Sequence, residues 1–244
     1  MRLKCLGCDV LARPLYLCAA HSPHIVDLQL FERGLHNTPV LLRAKLQEHI
    51  DLAAGQGYDA VLMAYGLCGQ ATAGLIARDV PVVVPRAHDC ITLFLGGRLR
   101  YNAQFASEPG TYWYNLDYVE RDKGAGSGLG AGIGSDGEKV YQEYVEKYGQ
   151  ENADYLMEVM GAWQAHYKRA AFIDMGVGDG NKVEAQARGD AERRGWMFDK
   201  VMGDLVLVRR LVDGDWADDF LTLQPGERIK MTYDEAVIGC VLSP

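Results

Sequence analysis

No apolar run in these 244 residues approaches the roughly 20 that a membrane-spanning helix needs. Basic residues are the minority: 25 Lys and Arg stand against 33 Asp and Glu, for a formal net charge of −8. That balance argues against a nucleic-acid partner, because phosphate binding needs a basic surface, while leaving room for a local basic pocket. The paired spacings of a zinc finger are missing, and so is the Lys-Ser/Thr ending of a P-loop. What is present is an ordinary globular composition, 48% hydrophobic and 24% charged, in a chain long enough to bury a sizeable core.

The N-terminus, MRLKCLGCDVLARPLYLCAA, carries the early Arg2 and Lys4 and the small residues of a secretory leader. Asp9, Arg13 and Pro14 interrupt its apolar stretch too soon, so it reads as a strand and its following loop, and the protein as cytoplasmic. In a reducing cytosol the six cysteines are not expected to form structural disulfides, and a cluster of them points to metal or redox chemistry. Cys18 and Cys240 belong to no local motif and read as small buried apolar residues.

Residues 2–8 and 25–31 alternate as strands do. Thr38-Pro39 then opens a helix, with Thr38 as N-cap and Pro39 at the first helical position, running to a glycine stop near 55–57. DAVLMAY at 59–65 predicts a buried strand, followed by the turn GLCG and a short helix to about Arg78. PVVVP at 81–85 predicts another strand, RAHDC a loop, and ITLFLGGRLRY the start of a helix. Strands separated by helices in this way predict an α/β fold: a mostly parallel sheet with helices on both faces.

Residues 124–137, GAGSGLGAGIGSDG, are dense in glycine and read as a flexible loop or lid rather than a phosphate cradle, since no strong strand precedes them. Two helices are expected next, EKVYQEYVEKYG and ENADYLMEVMGAWQAHYKRA. The alternation then resumes with AAFIDMG, WMFDKVMGD and DFLTLQPG as strands and VEAQARGDAERRG and DLVLVRRLVDGD as helices. The expected organisation is an N-terminal α/β lobe over 1–123, the glycine-rich loop at 124–137, and a helical segment with a second α/β lobe over 138–244. One continuous sheet is the alternative. GVGDGN at 176–181 departs from the dinucleotide glycine pattern.

Ligands in open α/β sheets bind outside the carboxyl ends of the strands. Three such ends carry soft or imidazole donors: Cys8 after the first strand, Cys68 in the GLCG turn, and His88 with Cys90 after 81–85. Thiolate and imidazole are the donors zinc prefers, and three cysteines also suit an iron–sulfur cluster. The i, i+2 spacing of His88 and Cys90 puts both on one side of an extended loop. The opposing reading makes Cys68 and Cys90 buried thiols and His88 a structural hydrogen-bonding residue. Cys5 and Cys8 form a CxxC, but on a strand their odd spacing points the thiols to opposite faces, against dithiol chemistry. Asp89 is a candidate to orient His88 or act as a general base, so His88 and Asp89 are the candidate catalytic pair. Tyr65, Tyr112 and Trp113 are candidates for a substrate-pocket wall. For the YWY run the plainer reading is a strand anchoring the core.

CDVL, YGLCG, PRAHDCITLFLG, PGTYWYN, YVEKYGQENADYL and WADDFLTLQPGERI together resemble the DUF1638 family over almost the whole chain. Gly97 departs from the serine usual after LG in that family, and Cys5 falls outside its pattern. The family's motif cysteines and histidine carry over to Cys8, Cys68, His88 and Cys90, the set that strand ends select. Similar proteins often accompany corrinoid-dependent methyltransferases in anaerobes. The resemblance therefore implies a metal-dependent enzyme of one-carbon or methylated-compound metabolism, with zinc, or else an iron–sulfur cluster, as cofactor. Its partners would be a small-molecule substrate and a corrinoid protein or methyltransferase. The competing expectation is an accessory protein that handles metal or corrinoid without catalysing a reaction; a purely structural metal site is the third.

Overall fold

The computed structural model describes residues 1–121, 145–146, 149–150, 152–153 and 167–243. In chain order the regular elements are β1 (Arg2–Cys8), α1 (Ala12–His21), β2 (Ile25–Phe31), α2 (Pro39–Ala53), β3 (Ala60–Ala64), β4 (Val82–Pro85), α3 (Cys90–Phe94), α4 (Arg98–Ser107), β5 (Thr111–Asn115) and α5 (Leu116–Glu120). After these come β6 (Arg169–Asp174), α6 (Asn181–Arg194), β7 (Met197–Met202), α7 (Val206–Asp213), β8 (Phe220–Leu223), β9 (Glu227–Met231) and β10 (Ile238–Leu242). The glycine-rich stretch 124–137 lies outside the described residues, as do most residues of the two helices expected after it.

The chain divides into two compact units, one comprising Met1–Asn102 with Gly203–Pro244 and the other Ala103–Met202. These units do not follow the boundaries expected at 123 and 138. The C-terminal segment returns to the first unit because β8 pairs antiparallel with β4, from Val82↔Leu223 to Pro85↔Phe220. That ladder satisfies backbone groups that would otherwise leave β4 as an open edge.

The first unit is built on a five-stranded sheet of order β2-β1-β3-β4-β8, parallel except for β8. β3 (AVLMA) and β4 (VVVP) are buried at every position, as parallel strands covered on both faces require. On one face Leu6, Val61, Met63, Val82 and Val84 pack with Leu42, Leu46 and Ile50 of α2. Truncating a fully buried side chain such as Leu46 costs roughly 2–5 kcal/mol. α2 starts where Thr38 and Pro39 place it. On the other face α1 presses on β1 so closely that a Cβ on Gly7 would lie 2.6 Å from Leu15 Cδ1. α7 packs beside α1 over β3 and β4.

Two local expectations are corrected. The residues after Cys8 are not a loop: a 3-10 turn (Asp9–Leu11) leads into α1, which accepts Pro14 in its first turn, where no backbone N–H is needed. Nor is there a helix up to Arg78. Cys68, Gly69, Gln70 and Gly74 all have positive φ, which a right-handed helix excludes. The chain instead makes successive turns, with Ala71 N donating to Cys68 O and Ala73 N to Gln70 O, and runs beside β9 only from Gly74, whose N donates to Ile229 O while Ile229 N donates to Leu75 O.

The second unit contains a parallel sheet of order β5-β6-β7. Val183, Ala187 and Ala191 of α6 pack on Tyr112, Tyr114 and Phe172 of that sheet. Gly195, left-handed at φ 66°, ends α6. Among the described residues no helix is long and apolar enough to cross a membrane.

Candidate functional site

The strand order places a topological switch point between β1 and β3, since the chain leaves β1 towards β2 on one side and continues from β3 towards β4 on the other. Crevices at such points are where open α/β sheets bind ligands. Cys8 is the last residue of β1, and Gly7↔Ala64 is the last β1–β3 pair, so Cys8 and Tyr65 leave the sheet side by side.

Beyond β3 and β4 the two loops keep running against each other. Leu67 N donates to Ala87 O at 2.8 Å and Cys68 N to His88 O at 2.9 Å. Gly66 makes that approach possible, because a Cβ there would lie 2.6 Å from Asp89 N and 2.9 Å from His88 C. Cys68 takes φ 46°, a left-handed conformation that costs a non-glycine residue roughly 1–2 kcal/mol. Such strain is held where surrounding structure over-determines it, often at functional positions. Asp89 caps α3, its Oδ1 accepting from Ile91 N at 3.0 Å and Thr92 N at 3.3 Å, and Cys90 follows as the first helical residue.

The three cysteines chosen from strand ends are therefore carried to neighbouring positions by β1, β3 and β4. Burial pushes the Cys68 thiol up to about 12, and the charges of Asp89 and Cys8 add to the effect. Burial also raises Cys90 well above its ordinary value, with Asp89, Cys68 and Cys8 adding to it. Burial raises Asp89 too, against the pull of the Thr92 and Ile91 amides. Cys8 Sγ lies 3.9 Å from Asp9 Oδ1, which also accepts from Arg33 N at 2.9 Å. The strongest influences on Cys68 and Cys90, after burial, are thus a carboxylate and other thiols. As they stand, no three His, Cys, Asp or Glu side chains among the described residues form a group that could hold a metal ion. The thiols are neighbours without being a formed coordination shell.

The other expected residues are placed as follows. The His88 side chain is exposed and its ring packs on Tyr101, with centroids 5.6 Å apart. Its backbone carbonyl, not its imidazole, receives the Cys68 amide. Tyr65 is 3% exposed, and its hydroxyl has no hydrogen-bond partner among the described residues. Tyr112 and Trp113 lie in the second unit as buried strand residues. Tyr112 packs edge-on with Tyr114 and Tyr167, and the Arg169 guanidinium lies 5.6 Å from the Trp113 ring centre. The core reading describes both. Asp9 and Gly66 are contributors that residue-type reasoning passed over. The signal for Gly66 was the glycine of YGLCG directly after an apolar strand, and Asp9 had only its position next to Cys8.

The profile of one family, described as "Protein of unknown function (DUF1638)", matches residues 30–212, about three quarters of the sequence. The chain belongs to the DUF1638 family. The DUF1638 match includes Tyr65, Cys68, His88 and Cys90, whereas Cys8 precedes it. No curated protein and no solved structure gives a significant match to this DUF1638 chain.

Proposed function

We propose that this protein is a metal-dependent enzyme whose centre is held by the thiolates of Cys8, Cys68 and Cys90. The reading rests on one observation: three thiols from three adjacent parallel strand ends lie in one neighbourhood with Asp89, where burial and these charges raise the cost of ionising Cys68 and Cys90. A bound cation removes that cost. The donor chemistry fits a soft metal, zinc or an iron–sulfur cluster, and three protein ligands leave a position open for substrate. A metal there would act as a Lewis acid that keeps a substrate heteroatom ionised and nucleophilic near neutral pH.

The chain's own residues supply the rest. Cys68 and Cys90 are positioned by the paired loops, Asp89 holds the start of α3 and the negative charge beside it, and the apolar contacts of Leu67 and Tyr65 keep water from the sheet side. The substrate class that suits such a centre is a small thiol or methylated compound of one-carbon metabolism.

Anaerobic purification followed by metal analysis and an absorption spectrum tests the reading. The expected result is one zinc, or one brown cluster with sulfide, lost in Cys68→Ala and Cys90→Ala. A protein that takes up neither zinc nor iron–sulfur under anaerobic reconstitution overturns it. A metal-loaded protein that forms a stable complex with a corrinoid protein, but turns over no methyl donor or thiol, identifies the accessory role instead.

A further inference from the structure

Arg169 is the first residue of β6, and only 5% of its side chain is exposed. Ala170 and Phe172 pack in the core cluster under α6, so strand alternation turns Arg169 to the other face of the sheet. There its guanidinium donates through Nη2 to Gln104 Oε1 at 2.9 Å and to Asp199 Oδ2 at 2.8 Å. Those bonds use two of the five N–H donors an arginine carries, and the buried Nε has no partner among the described residues. An open donor on a buried charged group is costly, so this one calls for a counterpart. Room for one exists. Arg169 lines a cavity of about 370 Å³ together with Gln104, Glu108, Met197 and Asp199, all within the second unit.

The charges around that cavity narrow the chemistry of what fits. One guanidinium stands with two carboxylates: Asp199, already paired to it, and Glu108, half-buried and without an ion pair among the described residues. A simple anion would add to a wall whose net charge is already negative, and a simple cation would meet the guanidinium. A zwitterion meets neither objection. We infer that this cavity binds a free α-amino acid, whose carboxylate accepts from the open donors of Arg169 while its ammonium is set against Glu108. Met197, on the same face, offers an apolar contact for the ligand's side chain. The volume lies in the range of small-molecule sites. None of these residues belongs to the thiol site, so the inference stands or falls independently of it.

The probes are glycine, L-leucine and the two halves of leucine, each titrated calorimetrically into the full-length protein. Isocaproate keeps the carboxylate and lacks the ammonium; isopentylamine keeps the ammonium and lacks the carboxylate. An amino acid is expected to bind, with each half of leucine weaker than leucine by about tenfold or more. Glu108→Gln is expected to unfold at the wild-type temperature, to weaken leucine by about tenfold, and to leave isocaproate unchanged or tighter. A role for Glu108 in stability alone would not divide the two ligands in that way. No binding of glycine or leucine at about 10 mM, where a millimolar site would be largely filled, overturns the inference. Isocaproate or isopentylamine binding as tightly as leucine overturns it too, because one charged group would then suffice. So does equal leucine affinity in Glu108→Gln and the wild type.

Discussion

The amide of Cys68 donates to the carbonyl of His88 at 2.9 Å, so the loop after β3 is sewn to the loop after β4 two residues before Cys90. This bond, with its neighbour from Leu67 to Ala87, makes the cysteine positions a property of two strands rather than of one flexible turn. It also gives His88 a place through its backbone while the ring lies on Tyr101.

Gly66→Ala is expected to part those loops. The added methyl would meet Asp89 Cα at 2.8 Å and the adjoining backbone nitrogen even closer, and neither contact is the free end of a side chain. Overpacking of this kind costs about 1–3 kcal/mol. Chemical denaturation should show that loss, and metal reconstitution should weaken with it. An unchanged denaturation midpoint would contradict the tight loop packing.

Removing cysteines one at a time should separate two groups. Cys8→Ala, Cys68→Ala and Cys90→Ala are expected to lose bound metal, whereas Cys18→Ala, in α1, and Cys240→Ala, on β10, keep it. Metal content per protein, measured after gel filtration, checks this. His88→Ala is expected to retain the metal, because its exposed ring packs on Tyr101.

The buried thiols away from the site predict alkaline destabilisation. Burial pushes Cys5 up to about 12 and Cys18 up to about 11, from an ordinary 9.0. The folded protein keeps these protons where the unfolded chain releases them. Their stabilising effect is therefore complete below pH 9 and is lost as the pH climbs towards 11 and 12, by about 1.4 kcal/mol per thiol per pH unit. Urea denaturation of the metal-free protein at pH 8 and pH 10 should show the decline, and a Cys5→Ala, Cys18→Ala double variant a shallower one. Identical slopes in the two proteins would refute the assignment.

A chain ending before Phe220 is expected to lose cooperative unfolding of the first unit. It lacks β8, which covers the edge of β4 and buries Phe220, Leu221 and Leu223, and it lacks β9, whose backbone satisfies Gly74 and Ala77. Circular dichroism melting would report this. A melt as sharp as that of the full chain would show that the returning segment is dispensable.

Much of the architecture was legible in residue order. IVDLQLF forms β2 over the expected residues, Thr38-Pro39 starts α2, and the apolar runs at 59–65 and 81–85 become β3 and β4, because period-two alternation, capping and β-branching act within a few residues. Cys8 and the GLCG turn could be set at strand ends for the same reason. The segment from 68 to 78 was not legible: its conformation is imposed by β9, some 150 residues later, and by the loop holding His88. No local propensity encodes a partner that distant.

The sequence by itself determined most of the strands, though not β9 or β10, several of the helices and the family, and it named the cysteines. Only the tertiary structure decided that the C-terminal segment rejoins the first unit, that Cys68 adopts a left-handed turn beside Asp89, and that the Tyr65 hydroxyl is enclosed without a partner among the described residues. Those outcomes come from backbone ladders and burial between residues far apart in the chain, which depend on how the elements meet and not on what each would form alone.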